Sequence, residues 1–233
     1  MFKALLDIIF PPVCLLCGES SLKKGFCEAC LMLIEKERIT TPICSTCGTP
    51  FLSPKGVDHE CGRCLKERPH FKAARSAFVY DGRLLDAIHR FKYGGDTSLA
   101  VPLARSALGA LDQSNDCLVV PVPLHPLRLK ARGFNQSLLI ARELARLTAF
   151  PLSYSNLKRA RDTGQQVGLK SVERNKNVAG AFILQDPIAF KGKKALLVDD
   201  VITTGATINE CARLLKLAGA EVFALTVART VKV

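Results

Sequence analysis

The chain has 233 residues, 48% of them hydrophobic and 23% charged, with 33 Lys and Arg against 21 Asp and Glu. That length suits one medium domain plus a small one, and the balance excludes disordered and collagen-like chains. The longest apolar stretches, such as Leu5 to Val13, fall far short of the roughly 20 residues of a membrane span. Asp7 inside that stretch and the lack of a small-residue cleavage site argue against a signal peptide, so the chain reads as cytosolic.

Residues 1–12 read as a short apolar lead ending in Pro11-Pro12. Residues 13–70 are rich in Cys, Gly and turns, with too few large apolar residues for a core of their own, and a region that small needs a staple. From Phe71 onward strands alternate with amphipathic helices, the pattern of an α/β domain with a mostly parallel sheet. The division predicted is 1–70 and 71–233. Ala73–Tyr80 reads as a strand, Leu84–Tyr93 as a helix stopped at Gly94-Gly95, and Ser98–Leu111 as a second helix. Cys117–Pro123 reads as a buried strand, and Leu138–Leu147 as a helix with Asn135 as N-cap. Residues 158–177 are polar, basic and turn-rich, a long mobile loop. Ala195–Val198 is a buried strand, Ile208–Leu217 a helix with Gly219 as C-cap, and Glu221–Ala228 the closing strand.

Eight of the ten cysteines fall in four CxxC pairs: Cys14/Cys17, Cys27/Cys30, Cys44/Cys47 and Cys61/Cys64. Pro12-Val-Cys-Leu-Leu-Cys-Gly recurs as Pro42-Ile-Cys-Ser-Thr-Cys-Gly, each copy followed by a second CxxC, which argues for two tandem modules. A tight turn aims both sulfurs of a CxxC at one point, and two such turns complete a tetrahedral zinc site. The repeat favours Cys14, Cys17, Cys27 and Cys30 on one Zn²⁺ and Cys44, Cys47, Cys61 and Cys64 on the other, with an interleaved pairing as the alternative. Redox dithiols and an iron–sulfur cluster are the competing chemistries. The redox reading is the weaker because no CxxC opens a helix after a buried strand. His59 is a substitute ligand or an exposed loop residue. Cys117 and Cys211 stand alone in apolar settings, as small core residues do.

Residues 71–233 hold 24 of the 33 basic and 13 of the 21 acidic residues, so the basic surface belongs to this part and attracts polyanions such as nucleic acid or a phosphorylated small molecule. Within it, Ala195-Leu-Leu-Val-Asp-Asp-Val-Ile-Thr-Thr-Gly-Ala-Thr207 is a buried strand, two carboxylates, then a small-residue loop opening a helix. A helix N-terminus offers free N–H groups to a phosphate. Thr203, Thr204 and Thr207 add hydroxyls, and Gly205 with Ala206 lets the backbone approach an anion. Asp199 and Asp200 are suited to accept hydrogen bonds from vicinal ribose hydroxyls. A phosphate cradle beside a diol acceptor describes a ribose 5-phosphate site; the plain alternative is an Asp-Asp turn before a Thr-capped helix.

In this strand–loop–helix context the stretch resembles the 5-phosphoribosyl 1-diphosphate (PRPP) signature of type I phosphoribosyltransferases. Together with Pro121-Val-Pro-Leu-His-Pro, Arg132-Gly-Phe-Asn-Gln-Ser137, Arg159-x-Arg-x-Thr163, Gln165-Gln166 and the cysteine-rich start, the chain resembles the competence protein F (ComF, ComFC or GntX-type) family over nearly its whole length. The resemblance implies a type I phosphoribosyltransferase-like parallel sheet flanked by helices, preceded by a double zinc ribbon. It also implies PRPP with Mg²⁺ as ligand, and a link to DNA uptake and natural transformation, with other competence proteins as possible partners. It leaves the acceptor unnamed. By analogy with such enzymes, the loop at Leu124–Gly133 holds pyrophosphate, with Arg128, Lys130 and Arg132 as its cations. Arg159, Arg161, Arg174 and Lys176 belong to a flexible loop that covers the substrate, or else touch a nucleic-acid backbone. The basic domain also fits a single-stranded DNA-binding factor that keeps the PRPP fold as a sensor, although the chain has no Trp and three Tyr to stack bases.

Overall fold

The computed structural model describes residues 11–21, 24–53, 55–111, 116–162 and 177–231. The apolar lead at 1–10, Thr163, Gln165, Gln166, Arg174 and Lys176 lie outside the described residues. Among the described residues no helix is long and apolar enough to cross a membrane.

Two short helices belong to the cysteine region, α1 (Glu28–Glu35) and α2 (Gly62–Lys66). The α/β part runs β1 (Ala73–Val79), α3 (Gly82–Tyr93), α4 (Ala100–Leu108), β2 (Leu118–Pro121), α5 (Pro126–Arg132), α6 (Gln136–Thr148), β3 (Leu157–Arg159), β4 (Phe182–Leu184), β5 (Lys194–Ile202), α7 (Ala206–Leu217) and β6 (Glu221–Arg229). Strands β1, β6, β5 and β2, in that spatial order, form one parallel sheet, while β3 and β4 pair antiparallel in a small separate sheet. The central strands read as near-continuous apolar runs because helices cover both faces. Ala195 to Val198 are all buried, as are seven of the nine positions between Val222 and Ala228 with their flanks. One buried cluster centres on Phe78, Ile88, Phe91, Leu103 and Leu144, and the other on Phe190, Leu197, Ile208 and Leu215. Cys117 and Cys211 are buried in them.

Several boundaries shift for local reasons. Ser98–Leu111 splits into a 3-10 turn at Thr97–Leu99 and the α4 helix, and β5 continues through the two aspartates to Ile202. Helix α7 is closed by Ala218, with Gly219 one residue beyond at φ +87°. The largest difference concerns Leu124–Gly133, read from sequence as a loop. Pro126 sits at the first position of a helix, His125 caps it by accepting from the Leu127 N–H at 3.4 Å, and Gly133 at φ +84° ends it.

The cysteine region is not freestanding. Phe26, Cys30 and Ile34 enter the same buried cluster as Phe78 and Ile88. Residues 37–39, between the two modules, run along the outer edge of β1: Val79 N–H donates to Glu37 O at 2.7 Å and Ile39 N–H to Ala77 O at 3.0 Å. That pairing covers an edge that would otherwise stay open, as Pro151–Ser153 do beside β2.

Candidate functional site

The eight thiols fall into the two sequential sets, each with its sulfurs within 4.8 Å of one another. Four thiolates at a Zn–S distance of about 2.3 Å on a tetrahedron stand about 3.8 Å apart. The Cys17–Cys27 separation is 3.7 Å, Cys47–Cys61 3.8 Å and Cys44–Cys64 3.9 Å. Backbone N–H groups point at the sulfurs: Leu16 and Cys27 toward Cys14 at 3.4 and 3.3 Å, Cys47 and Cys61 toward Cys44 at 3.4 and 3.3 Å. Such donors stabilise thiolate charge, so the residues fit a tetrahedral, all-thiolate metal. Cys27 and Cys61 also serve as N-caps, of α1 and α2, a helical role that the spacing did not disclose. His59 belongs to neither set; it stacks on Phe51 at 4.0 Å.

A cleft of about 1100 Å³ opens at the carboxyl ends of β1, β2 and β5, where ligands of open α/β sheets bind. It gathers Asp199, Asp200, Thr203, Thr204, Gly205, Ala206 and Thr207 with Arg128, Arg132 and Arg159, residues brought in from three separate segments. Gly205 holds φ +82°, a left-handed turn that a side chain would strain, and it precedes α7, whose Ala206 N–H donates to Thr204 Oγ1 at 3.4 Å. The other N–H groups at this helix start have no intrahelical acceptor and so suit an anion.

Lys130 and Arg161 stand apart from the cleft. On helix α5, positions 128 and 132 share a face and 130 lies off it, so Lys130 is exposed. Arg161 donates to the carbonyls of Asn177 and Ala179 at 3.3 and 2.6 Å, tying the two ends of the 163–176 segment. Arg159, by contrast, is 6% exposed. Burial, and then the positive charge of Arg128, hold its pKa below the ordinary arginine value. Asp162, 3.7 Å from Arg128 Nε, offsets part of that repulsion, and an anion in the cleft would offset more. Arg128 Nη2 and Gln136 Nε2 are both buried without a hydrogen-bond partner among the described residues. Gln136, at the start of α6, lines the cleft; the sequence marks it only as part of the Arg132–Ser137 motif, with no role of its own.

The aspartate pair is held from two sides. Ser137 Oγ donates to Asp199 Oδ1 at 2.7 Å, and Asp200 N–H to the same oxygen at 2.9 Å. Lys92 Nζ meets Asp200 Oδ1 at 3.0 Å, from the last turn of α3. Burial works against the Lys92 charge, but the facing Asp200 and then Asp199 outweigh it and raise its pKa. Lys92 and Ser137 are therefore site residues; the sequence reads Lys92 either as a helix end or as part of a Lys92–Asp96 stretch meeting an acceptor, and Ser137 as part of a motif.

Burial pushes the Asp199 carboxyl from 3.8 up to about 7, the Asp200 charge adding to the rise, against the pull of Ser137 and Lys92. The folded protein thus holds a proton that the unfolded chain releases between pH 4 and 7. The group's contribution to folding is full below about pH 4 and is lost as pH rises through about 7. Asp199→Asn is expected to remove that dependence. Its stability relative to wild type should improve from pH 5 toward pH 7, by on the order of 1 kcal/mol per pH unit, and then level off. Urea unfolding at pH 5, 6, 7 and 8 checks this; parallel profiles for the two proteins would contradict it.

Cysteine ribbons docked on a parallel sheet, with an acidic pair before a Gly-centred loop, define a class: a zinc-ribbon protein carrying a phosphoribosyltransferase-type domain. The double zinc ribbon domain matches residues 5–65, and the phosphoribosyl transferase domain matches residues 135–231. The chain is 32% identical over 207 residues to competence protein F of Haemophilus influenzae, covering 85% of this chain and 87% of that protein. It is 32% identical to DNA utilization protein YhgH of Salmonella typhimurium (84% and 86% covered) and 28% identical to competence protein ComFC of Streptococcus pneumoniae (89% and 95% covered). The chain belongs to the competence protein F family.

Proposed function

We propose that the cleft binds PRPP and that the chain acts as a phosphoribosyltransferase in the competence-linked handling of DNA. The observation that carries this is the convergence of three recognition elements in one cleft. The 203–207 loop offers backbone N–H and hydroxyl donors for the 5-phosphate, and Asp199 and Asp200 offer acceptors for the ribose hydroxyls. Arg128 and Gln136 offer unsatisfied donors for the diphosphate, with Arg159 and Arg132 also lining the cleft.

When bound with PRPP, Mg²⁺ would supply positive charge to offset that of the leaving group. The chain's own residues do the rest. The loop and the aspartates fix the ribose, and the guanidiniums stabilise pyrophosphate as the anomeric C–O bond breaks and the electron pair leaves with it. The carboxylates lie near the cation that develops on the sugar, and an acceptor's lone pair forms the new bond to the anomeric carbon. Zn²⁺ in the two cysteine sets has a structural part, and eight thiols grouped for metal fit a reducing cytoplasm.

The test is pyrophosphate release from Mg–PRPP in the presence of candidate bases and of single-stranded DNA. Acceptor-dependent release supports transfer. PRPP binding with no release under any acceptor would remove the enzymatic part and leave PRPP as a regulatory ligand. The basic excess of residues 71–233 favours a second reading, a single-stranded DNA-binding factor with PRPP as its signal. Its affinity for DNA should then fall steeply with added salt.

A further inference from the structure

The two cysteine modules are attached to different parts of the α/β domain. The first meets α3 and α4: Arg90 Nη1 donates to Leu15 O and Leu16 O at 2.5 and 3.3 Å, and Gly25 lies against Pro102. The second is fastened to the phosphate loop and both of its flanks.

Ahead of the loop, Arg229 is 2% exposed and donates to Cys47 O at 2.5 Å and to Thr49 Oγ1 at 2.6 Å. Arg229 is the register partner of Ile202, the residue before the loop, and Thr230 N–H donates to Ile202 O at 3.0 Å. The same knuckle is pressed onto β1. Ala74 N–H donates to Thr46 O at 2.8 Å, and a Cβ at Gly48 would stand 2.4 Å from Ala74 O, so only glycine lets it sit there. Within the loop, Arg63 Nη1 donates to Thr204 O at 3.0 Å. Arg63 lies between Cys61 and Cys64, so the metal-binding turn sets its position. Behind the loop, His70 N–H donates to Asn209 Oδ1 at 2.7 Å, in the first turn of α7.

We propose that the second cysteine module is a working part of the phosphate site, and that Arg63 is a positioning residue which holds the 203–207 backbone in its anion-binding shape. This rests on the reading of that loop as the 5-phosphate cradle. A backbone carbonyl held outward by Arg63 keeps the neighbouring N–H groups turned inward, so the effect on ligand passes through Thr204 and not through direct contact. Loss of metal from the second set, unlike loss from the first, would then loosen the loop.

The experiment uses the full-length, zinc-loaded chain and its Arg63→Ala, Arg63→Lys and Arg90→Ala variants, with zinc content and melting temperature recorded for each. Two properties are read: calorimetric affinity for ribose 5-phosphate, and hydrogen exchange of the amides at 203–207 without ligand. Arg63→Ala should bind about fivefold more weakly, as expected for one lost hydrogen bond, and exchange faster at the loop. Arg63→Lys should recover most of both, and Arg90→Ala should match wild type. Wild-type affinity and exchange in Arg63→Ala would overturn the proposal while leaving the cradle intact. If the wild type itself fails to bind ribose 5-phosphate, the cradle reading fails and the phosphate-site role with it. Equal effects of Arg63→Ala and Arg90→Ala would also overturn it, as a general consequence of loosening either module.

Discussion

Replacing both Asp199 and Asp200 with Asn is expected to weaken PRPP binding by at least about a hundredfold, because hydrogen bonds from hydroxyls to charged acceptors contribute roughly 1.5–3 kcal/mol each. The two substitutions should differ in their cost to folding. Asp199 is raised to about 7, so an amide replaces a group already half-protonated at neutral pH and keeps an acceptor for Ser137 Oγ. Asp200 is 6% exposed and pairs with a Lys92 that is itself mostly covered. Removing its charge leaves that ammonium unpaired, at a cost of about 3–5 kcal/mol for truncating a buried pair. Asp200→Asn should therefore lower the melting temperature clearly and Asp199→Asn hardly at pH 7. Calorimetric titration with Mg–PRPP and a thermal scan of each single variant separate binding from stability. Undiminished affinity in the double variant would contradict the assignment of these carboxylates.

Removing metal from the cysteine modules should have the largest effect on stability. Among the described residues between Cys44 and Cys64 the buried hydrophobic ones are the thiols themselves, Cys44, Cys47 and Cys64, so little besides the metal holds the turns together. Without it the thiolates repel or must take up protons, and the knuckle under Arg229 loses its shape. Cys47→Ser, or exposure to a strong chelator, is expected to lower the melting temperature by about 10 °C or more. That drop corresponds to several kcal/mol in a chain of this size. Protein purified without added metal should carry two zinc ions per chain. A metal-free protein with unchanged melting behaviour would contradict a structural role for either set.

The sequence displayed most of this arrangement where a local rule applied. Four CxxC turns specify their own geometry, and the tandem repeat singled out the sequential pairing that the sulfur positions show. The buried strand, Asp199-Asp200 and Gly205 likewise carried their own signal, since strand, acidic pair and left-handed turn are contiguous. What escaped notice depended on the fold bringing distant segments together. Lys92 ends a helix 108 positions before Asp200, and nothing local marks it as an ion-pair partner for that residue. Ser137 and Gln136 are marked only as part of the Arg132–Ser137 motif, and only the packing of α6 beside β5 turns them toward the cleft. Lys130 was grouped with Arg128 and Arg132 because a basic run in a loop has no faces; once Pro126 starts a helix, the spacing of four selects 128 and 132. The joining of the second module to the phosphate loop through Arg63 and Arg229 is likewise invisible locally, as it spans more than 140 residues.

The most direct test of the central claim is the structure of the zinc-loaded protein crystallised with Mg–PRPP. The account predicts the 5-phosphate against the amides of residues 203–207, the ribose hydroxyls on Asp199 and Asp200, and the diphosphate between Arg128 and Arg159 within reach of Gln136 Nε2. Density for PRPP elsewhere, or an empty cleft at saturating ligand, would contradict it.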